Sequence, residues 1–283
     1  MQNKLCRNEG LIYQIEFRRY YAVLFLLFSF LFCTSAVVQH KGIYSFYSQI
    51  IKDSFEVYID TSPNFKSDGT ASVVFYLDAN LALGEEVRSR IDSTKTNTLF
   101  VGVGHIGNYR KLRRRDFIPP KLMNGEWQQS TDENFGQAAN FYTFMKEKLV
   151  PFVNARYPNN RQFSIIGHSL SGLFVYYALL QDTPLFKNYV ALSPSLWVNH
   201  STIFEYENQF FEIHKTLDDL TLYHTWGGLE RLNKIRFASK RMNTVFYERK
   251  YLGLNYKFRE LAWKGHNDSV DPALSYIFKE VDF

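Results

Sequence analysis

Cysteine is nearly missing. The chain of 283 residues has two, Cys6 and Cys33, and none beyond. From residue 34 onward a disulfide framework, a thiolate metal site and a cysteine nucleophile are therefore excluded. No charge of one sign dominates: 33 Lys and Arg face 28 Asp and Glu, a net charge of +5. Residues 1–36 carry +2 of this, with Lys4, Arg7, Arg18 and Arg19 set against Glu9 and Glu16. The remaining +3 is no electrostatic footprint for a nucleic acid. There is no internal repeat and no low-complexity tract. The histidines are scattered without an H-E-x-x-H spacing, and Gly102-Val103-Gly104-His105-Ile106-Gly107 falls short of a dinucleotide fingerprint, so we expect no metal and no cofactor. Hydrophobic residues make up 46% and charged residues 22%, which excludes disordered, collagenous and coiled-coil classes. What is abundant is aromatic: 26 Phe and 19 Tyr bring the aromatic share to 17%, which suits a large packed core and an aromatic-lined pocket.

The one long apolar run is N-terminal. Tyr20 to Phe32 gives 13 uncharged residues directly after Arg18-Arg19, and small residues follow at Thr34-Ser35-Ala36. A basic start, a short apolar core and a small-residue site form the pattern of a signal peptide, here cleaved after Ala36. Extended to Val38 the run would also serve as an N-terminal membrane anchor, since roughly 20 apolar residues cross a bilayer. Lipidation at Cys33 is disfavoured by bulky Phe32 before it. Residues 1–36 are thus expected to be a leader or anchor of an exported protein, with membrane attachment only in the second case. Residues 37–283 are expected to form one domain.

Along that domain, strands and helices alternate. Ser54–Asp60 puts Phe55, Val57 and Ile59 on one face, the period of a half-buried strand. Ala71–Leu77 and Thr98–Val103 are near-continuous apolar runs, as in strands covered on both faces of a parallel sheet. His105–Phe135 reads as a long irregular stretch. Gly136–Tyr157 is helical in pattern and closed by Pro158. Further strands are expected at Gln162–Ile166, Tyr189–Leu192, Leu220–Trp226 and Tyr256–Leu261. Further helices are expected at Leu170–Leu180, Asn233–Leu252 and Pro272–Phe278. Val198–Asp219 reads as a surface insertion. This alternation predicts an α/β fold with a mostly parallel central sheet and helices on both faces.

Residues 162–172, QFSIIGHSLSG, run from a short apolar strand through a tight turn into a helix. That is the context of a nucleophile elbow, in which a serine stands on a strained turn above the sheet. Small residues two before and two after let strand and helix close around it. Here they are Gly167 and Ser171, so the strict G-x-S-x-G spacing is broken at its last position. The plain alternative is a turn serine without reactivity. A reactive Ser169 needs a base, an orienting acid and an oxyanion hole. In the chain order Ser, acid, His, the base belongs in the loop before the last helix, which singles out His266 among His200, His214, His224 and His266. Glu230 follows the strand that ends at Trp226. Asp218 and Asp219 precede that strand, and Asp268 and Asp271 are too close in sequence to His266. The backbone N–H of Leu170 and that of Asn80, in the loop Leu77-Asp78-Ala79-Asn80, are the expected oxyanion donors.

At these residues the chain resembles the putative-esterase family of the α/β-hydrolase fold. That group includes enterobactin-type siderophore esterases, S-formylglutathione hydrolases, feruloyl esterase domains and mycolyltransferases. The resemblance covers about residues 50–280 and is carried by six segments. They are VFYLDAN at Val74–Asn80, with Ala79 in place of the usual Gly; Arg114-Arg115-Asp116-Phe117-Ile118-Pro119; GHSLSGL at Gly167–Leu173; Ser193-Pro194-Ser195-Leu196-Trp197; Gly228-Leu229-Glu230; and Gly265–Val270. It implies a triad of Ser169, Glu230 and His266 acting on a small-molecule carboxylic ester, with a siderophore-type ester as one candidate. An alcohol acceptor in place of water would make it an acyltransferase, and a non-catalytic binding protein on the same fold is the remaining alternative. Arg115, His105 and Trp197 are the candidate substrate contacts. Against the first stands a plainer reading of the basic run Arg110–Arg115, a solvated segment with one structural pair between an arginine and Asp116.

Overall fold

The computed structural model describes residues 41–123, 126–128, 135–230 and 234–281; the proposed leader lies outside the described residues. Eight strands form one sheet in the order β1-β2-β4-β3-β7-β8-β9-β10. They are β1 (Gly42–Ser48), β2 (Asp53–Thr61), β3 (Ala71–Leu77), β4 (Thr98–His105), β7 (Asn160–His168), β8 (Asn188–Leu192), β9 (Thr221–Gly227) and β10 (Asn255–Leu261). Only β2 runs against the others: it is antiparallel to both β1 and β4, and every other pairing is parallel. A two-stranded hairpin, β5 (Lys121–Met123) and β6 (Glu126–Gln128), stands apart from this sheet.

Sequence pattern explains the layering. In β3 the side chains of Val73, Phe75 and Leu77 enter one core and those of Val74 and Tyr76 the other, so a continuous apolar run is what a strand buried on both faces requires. The larger core covers one face with α2 (Tyr109–Phe117), α3 (Ala138–Phe144), α4 (Val150–Arg156), α5 (Leu170–Leu179), α6 (Ile203–Ile213) and α7 (Ile235–Arg249). On the other face α1 (Ala82–Ile91) inserts Leu83, Val87 and Ile91, and α8 (Val270–Glu280) inserts Ala273, Leu274 and Ile277. The α/β arrangement with helices on both faces is as expected. Among the described residues no helix is long and apolar enough to cross a membrane.

Three expectations need correction. The stretch after His105 is not irregular: α2 and the hairpin occupy much of it. Val198–Asp219 is not a surface insertion, because α6 drives Phe204, Tyr206 and Phe210 into the larger core. The single helix foreseen at 136–157 is α3 and α4 joined by a π turn at Met145–Leu149. Pro151 lacks the N–H that would meet the carbonyl four residues back, and the wider turn absorbs the misfit. Two elements, β1 and α1, lie outside the expected set. One face of β1 is solvent, with Ile43 and Tyr47 exposed.

His224 is fully buried in β9, as its place within a strand suggested, and its Nδ1 lies 2.9 Å from the Tyr176 hydroxyl. Burial pushes the imidazole down to about 3. An unfolded chain therefore binds a proton here below pH ~6.5 that the native state refuses until about pH 3. The sign is fixed: this group's contribution is complete above pH ~6.5 and is lost as the pH falls, at up to about 1.4 kcal/mol per pH unit. Urea unfolding at a series of pH values should show a shallower loss between pH 6.5 and 4 for His224→Gln than for the wild type. Equal slopes would contradict this account.

Candidate active site

Ser169 follows β7 and opens α5 with φ 62° and ψ −115°. A non-glycine residue with positive φ is strained, and such strain persists only where the surroundings over-determine it. Here they do. The Ser169 N–H donates to Leu192 O at 3.0 Å, and the Ser169 carbonyl accepts from Leu173 N at 3.0 Å and Ser195 N at 2.9 Å. Gly167 is required because a Cβ there would stand 2.3 Å from the Ser171 carbonyl oxygen. The departure at Ser171 is wired rather than merely tolerated. Its Oγ accepts from His168 N–H at 2.8 Å and donates to Asp78 Oδ2 at 2.7 Å. Asp78, itself at φ 56°, is clamped by Arg113 through Nε–Oδ1 at 2.7 Å and Nη2–Oδ2 at 2.9 Å.

The loop between β10 and α8 carries His266 back over the elbow. Its Nε2 lies 2.9 Å from Ser169 Oγ, and its Nδ1 lies 3.5 Å from Glu230 Oε1. With Nε2 accepting the serine proton, Nδ1 carries the hydrogen that faces the carboxylate. Glu230 is buried after β9, and Oε1 also accepts from Ser193 Oγ at 2.5 Å and Gly227 N–H at 3.2 Å. The 3.5 Å separation is long for a hydrogen bond. Gly227 permits the approach of the base loop, since a Cβ there would meet Lys264 O at 2.3 Å. The three residues expected to form the triad are thus brought together.

His168 packs its ring against that of His266 at 4.5 Å and reaches His266 O with Nε2 at 3.1 Å. Burial, then the neighbouring His266 and Arg113, push it down to about 3. It therefore stays neutral and holds the loop of His266 without adding a cation beside that ring. Of the oxyanion candidates, Leu170 is the first residue of α5, where a helix leaves its N–H groups unpaired. The Ala79 N–H is taken by Val103 O at 3.1 Å, whereas that of Asn80 has no acceptor among the described residues.

Two candidate substrate contacts are corrected. Arg115 is buried, with Nη1 2.8 Å from Asp53 Oδ2 and Nε 2.7 Å from Asp116 Oδ1. His105 is buried too, with Nε2 2.9 Å from Asp116 Oδ2 and its ring among Phe55, Phe117 and Phe141. Both belong to an ion network under the site, the structural pairing that the basic run allowed for. Trp197 does reach the surface, and Lys234 Nζ lies 4.3 Å over its ring. Sequence reasoning missed Ser195, whose Oγ is 3.1 Å from that of Ser169, and also Ser193 and Arg113. Nothing in their spacing marks them; only the S-P-S-x-W segment pointed near the first two. Among the described residues no group of three or more His, Cys, Asp or Glu side chains is placed to hold a metal ion.

Comparison with known proteins gives the family and the fold. The family model described as putative esterase matches residues 48–270. Ferri-bacillibactin esterase BesA of Bacillus subtilis is 28% identical over 225 residues, which span 71% of this chain and 75% of that protein. A siderophore enterobactin esterase of Emericella nidulans is 30% identical over 162 residues, 51% of this chain and 52% of that one. Among solved structures, the BES protein from Bacillus cereus superposes with a TM-score of 0.72 at 23% identity, covering 86% of this chain and 96% of that chain. The siderophore hydrolase EstA from Aspergillus nidulans does so with a TM-score of 0.67 at 22% identity, covering 85% and 93%. With the fold, the elbow and the matched span in agreement, the chain belongs to the putative-esterase family of carboxylic ester hydrolases.

Proposed function

We propose that the protein hydrolyses carboxylic esters through an acyl-enzyme on Ser169. The observation that carries this is the Ser169–His266 contact of 2.9 Å, with Glu230 on the far ring nitrogen. His266 Nε2 takes the hydroxyl proton as Oγ adds to the ester carbonyl, and Glu230 stabilises the imidazolium. The N–H groups of Leu170 and Asn80 receive the oxyanion. His266 then returns the proton to the leaving alcohol. Water, deprotonated by the same imidazole, releases the acid and restores Ser169.

The substrate class we infer is a siderophore-type ester. Two relatives support it, the one named ferri-bacillibactin esterase, matched over 75% of its length, and the one named siderophore enterobactin esterase, matched over 52%. Exposed pairs of aromatic ring and cation support it as well. Trp197 carries the Lys234 ammonium over its ring, and exposed Tyr109 stands beside Arg110. Aromatic faces next to cations suit an aromatic, anionic acyl group. The apolar leader supports an exported protein acting outside the cytoplasm, attached to the membrane where the leader is retained.

A fluorophosphonate should label the folded protein at Ser169, located by mass spectrometry of the adduct. Ser169→Ala should abolish labelling and lower ester turnover by on the order of 10⁴-fold or more, with an unchanged circular dichroism spectrum, and Glu230→Gln should lose less. Full turnover by folded Ser169→Ala would sink the mechanism. For the substrate, kcat/KM on a catecholate trilactone should exceed that on simple acetates, and Lys234→Ala should raise KM for the trilactone alone. Turnover of acetates with none of the trilactone would remove the siderophore reading and leave the esterase reading standing.

A further inference from the structure

The second oxyanion donor sits in an ambiguous place. The turn after β3 runs Asp78-Ala79-Asn80-Leu81 and is closed by Leu81 N–H donating to Asp78 O at 2.9 Å. Its central peptide joins Ala79 to Asn80, and a planar trans peptide points its C=O and N–H in opposite directions. That unit is what inverts between type I and type II turns, while the ends of the turn stay in place. The inverted form needs positive φ at the third residue. That residue is Asn80, one of the few non-glycine types that tolerate it. The turn's own sequence therefore leaves open whether the site receives an N–H or a carbonyl oxygen.

What decides the orientation lies on α1. Arg88 Nη1 donates to Ala79 O at 2.5 Å, and its guanidinium is itself seated 5.4 Å over the Tyr58 ring. Gly84 lets that carbonyl lie against the helix, because a Cβ there would stand 2.0 Å from Ala79 O. The Asn80 side chain is held separately by donation to His105 O at 2.7 Å. Asn80 is not among the residues with positive φ, so the turn is in the uninverted form. With its carbonyl drawn toward α1, the peptide turns the Asn80 N–H the other way, where no acceptor among the described residues claims it.

We propose that Arg88 is a positioning residue for catalysis. It locks the Ala79–Asn80 peptide with the N–H facing the oxyanion, and its charge on the carbonyl end polarises that peptide and strengthens the donor. The proposal rests on the acyl-enzyme reading above. Arg88 touches neither substrate nor the reacting atoms, so its effect must appear in the transition state and not in ground-state binding.

The test takes wild type, Arg88→Met, Arg88→Lys and Gly84→Ala, and measures kcat, KM and inhibition by a boronic acid. The tetrahedral boronate on Ser169 places an oxygen where the oxyanion forms. A directly lost oxyanion donor costs about 10²–10³ in rate. Loss of its orientation through Arg88→Met is expected to lower kcat by about 10- to 100-fold. KM should stay within about twofold, and boronate affinity should weaken by the same factor as kcat. Arg88→Lys, which keeps a charged donor, should recover most of both. Gly84→Ala, which pushes on the same carbonyl, should reproduce the loss and serves where Arg88→Met fails to fold. Folded variants with kcat and boronate affinity within twofold of wild type would overturn the proposal, as would lowered thermal stability with unchanged boronate affinity. A wild type that neither labels with fluorophosphonate nor cleaves esters would instead defeat the acyl-enzyme reading itself.

Discussion

The site depends on one buried carboxylate. Asp78, at the end of β3, accepts two bonds from Arg113 and one from the Ser171 hydroxyl. Arg113 Nη2 also reaches His168 O at 3.3 Å, and His168 Nε2 reaches His266 O. A continuous polar chain thus runs from the loop after β3 through the turn at Ser169 to the loop before α8. Its members come from β3, α2, β7 and the loop before α8, which have no local reason to keep their distances. Breaking a buried ion pair by removing one partner costs about 3–5 kcal/mol, because the other charge is left stranded. That penalty is what makes Arg113 and Asp78 an effective clamp: each is costly without the other.

The same clamp explains how strain is held. Asp78, Ser169 and Ser193 all have positive φ, and they follow three neighbouring strands, β3, β7 and β8. Such residues cost of order 1–3 kcal/mol each. All three turn the chain sharply at the carboxyl edge of the sheet, and each is held by further hydrogen bonds. Asp78 binds Arg113, Ser169 is fixed by three backbone bonds, and Ser193 donates to the Glu230 carboxylate. Rigidity is concentrated around the 2.9 Å contact between Ser169 and His266.

Much of this was legible in the sequence. Apolar runs buried on both sides marked β3 and β4, and a strand, Gly167, Ser169 and a helix marked the elbow. Chain order alone led to Glu230 and His266. The failures have a common physical origin. The basic run Arg110–Arg115 is one turn and a half of helix, so its members face different ways. Arg110, Lys111 and Arg114 are exposed, Arg113 turns to Asp78, and Arg115 turns inward to Asp53 and Asp116. Composition cannot sort these roles, because α2 is buried through ion pairs and not through an apolar stripe. Likewise His105 ends a strand whose residues are all buried, and only the facing Asp116 shows that its imidazole belongs to the core.

The two departures from the family's pattern are both compensated at a distance. Ala79, where Gly is usual, fits because Gly102 on β4 leaves it room: a Cβ on Gly102 would come within 2.7 Å of the Ala79 methyl and 2.4 Å of the Tyr76 ring. One methyl, that of Ala79, therefore occupies the space beside Gly102. Ser171 fits for the opposite reason. It adds a hydroxyl to a crowded turn, and Asp78, already held by Arg113, accepts its proton. A motif letter is thus the residue that its neighbours leave room or bonds for. The spacing of small residues around Ser169 survives the change of letter at Ser171 because Asp78 gives the added hydroxyl a partner.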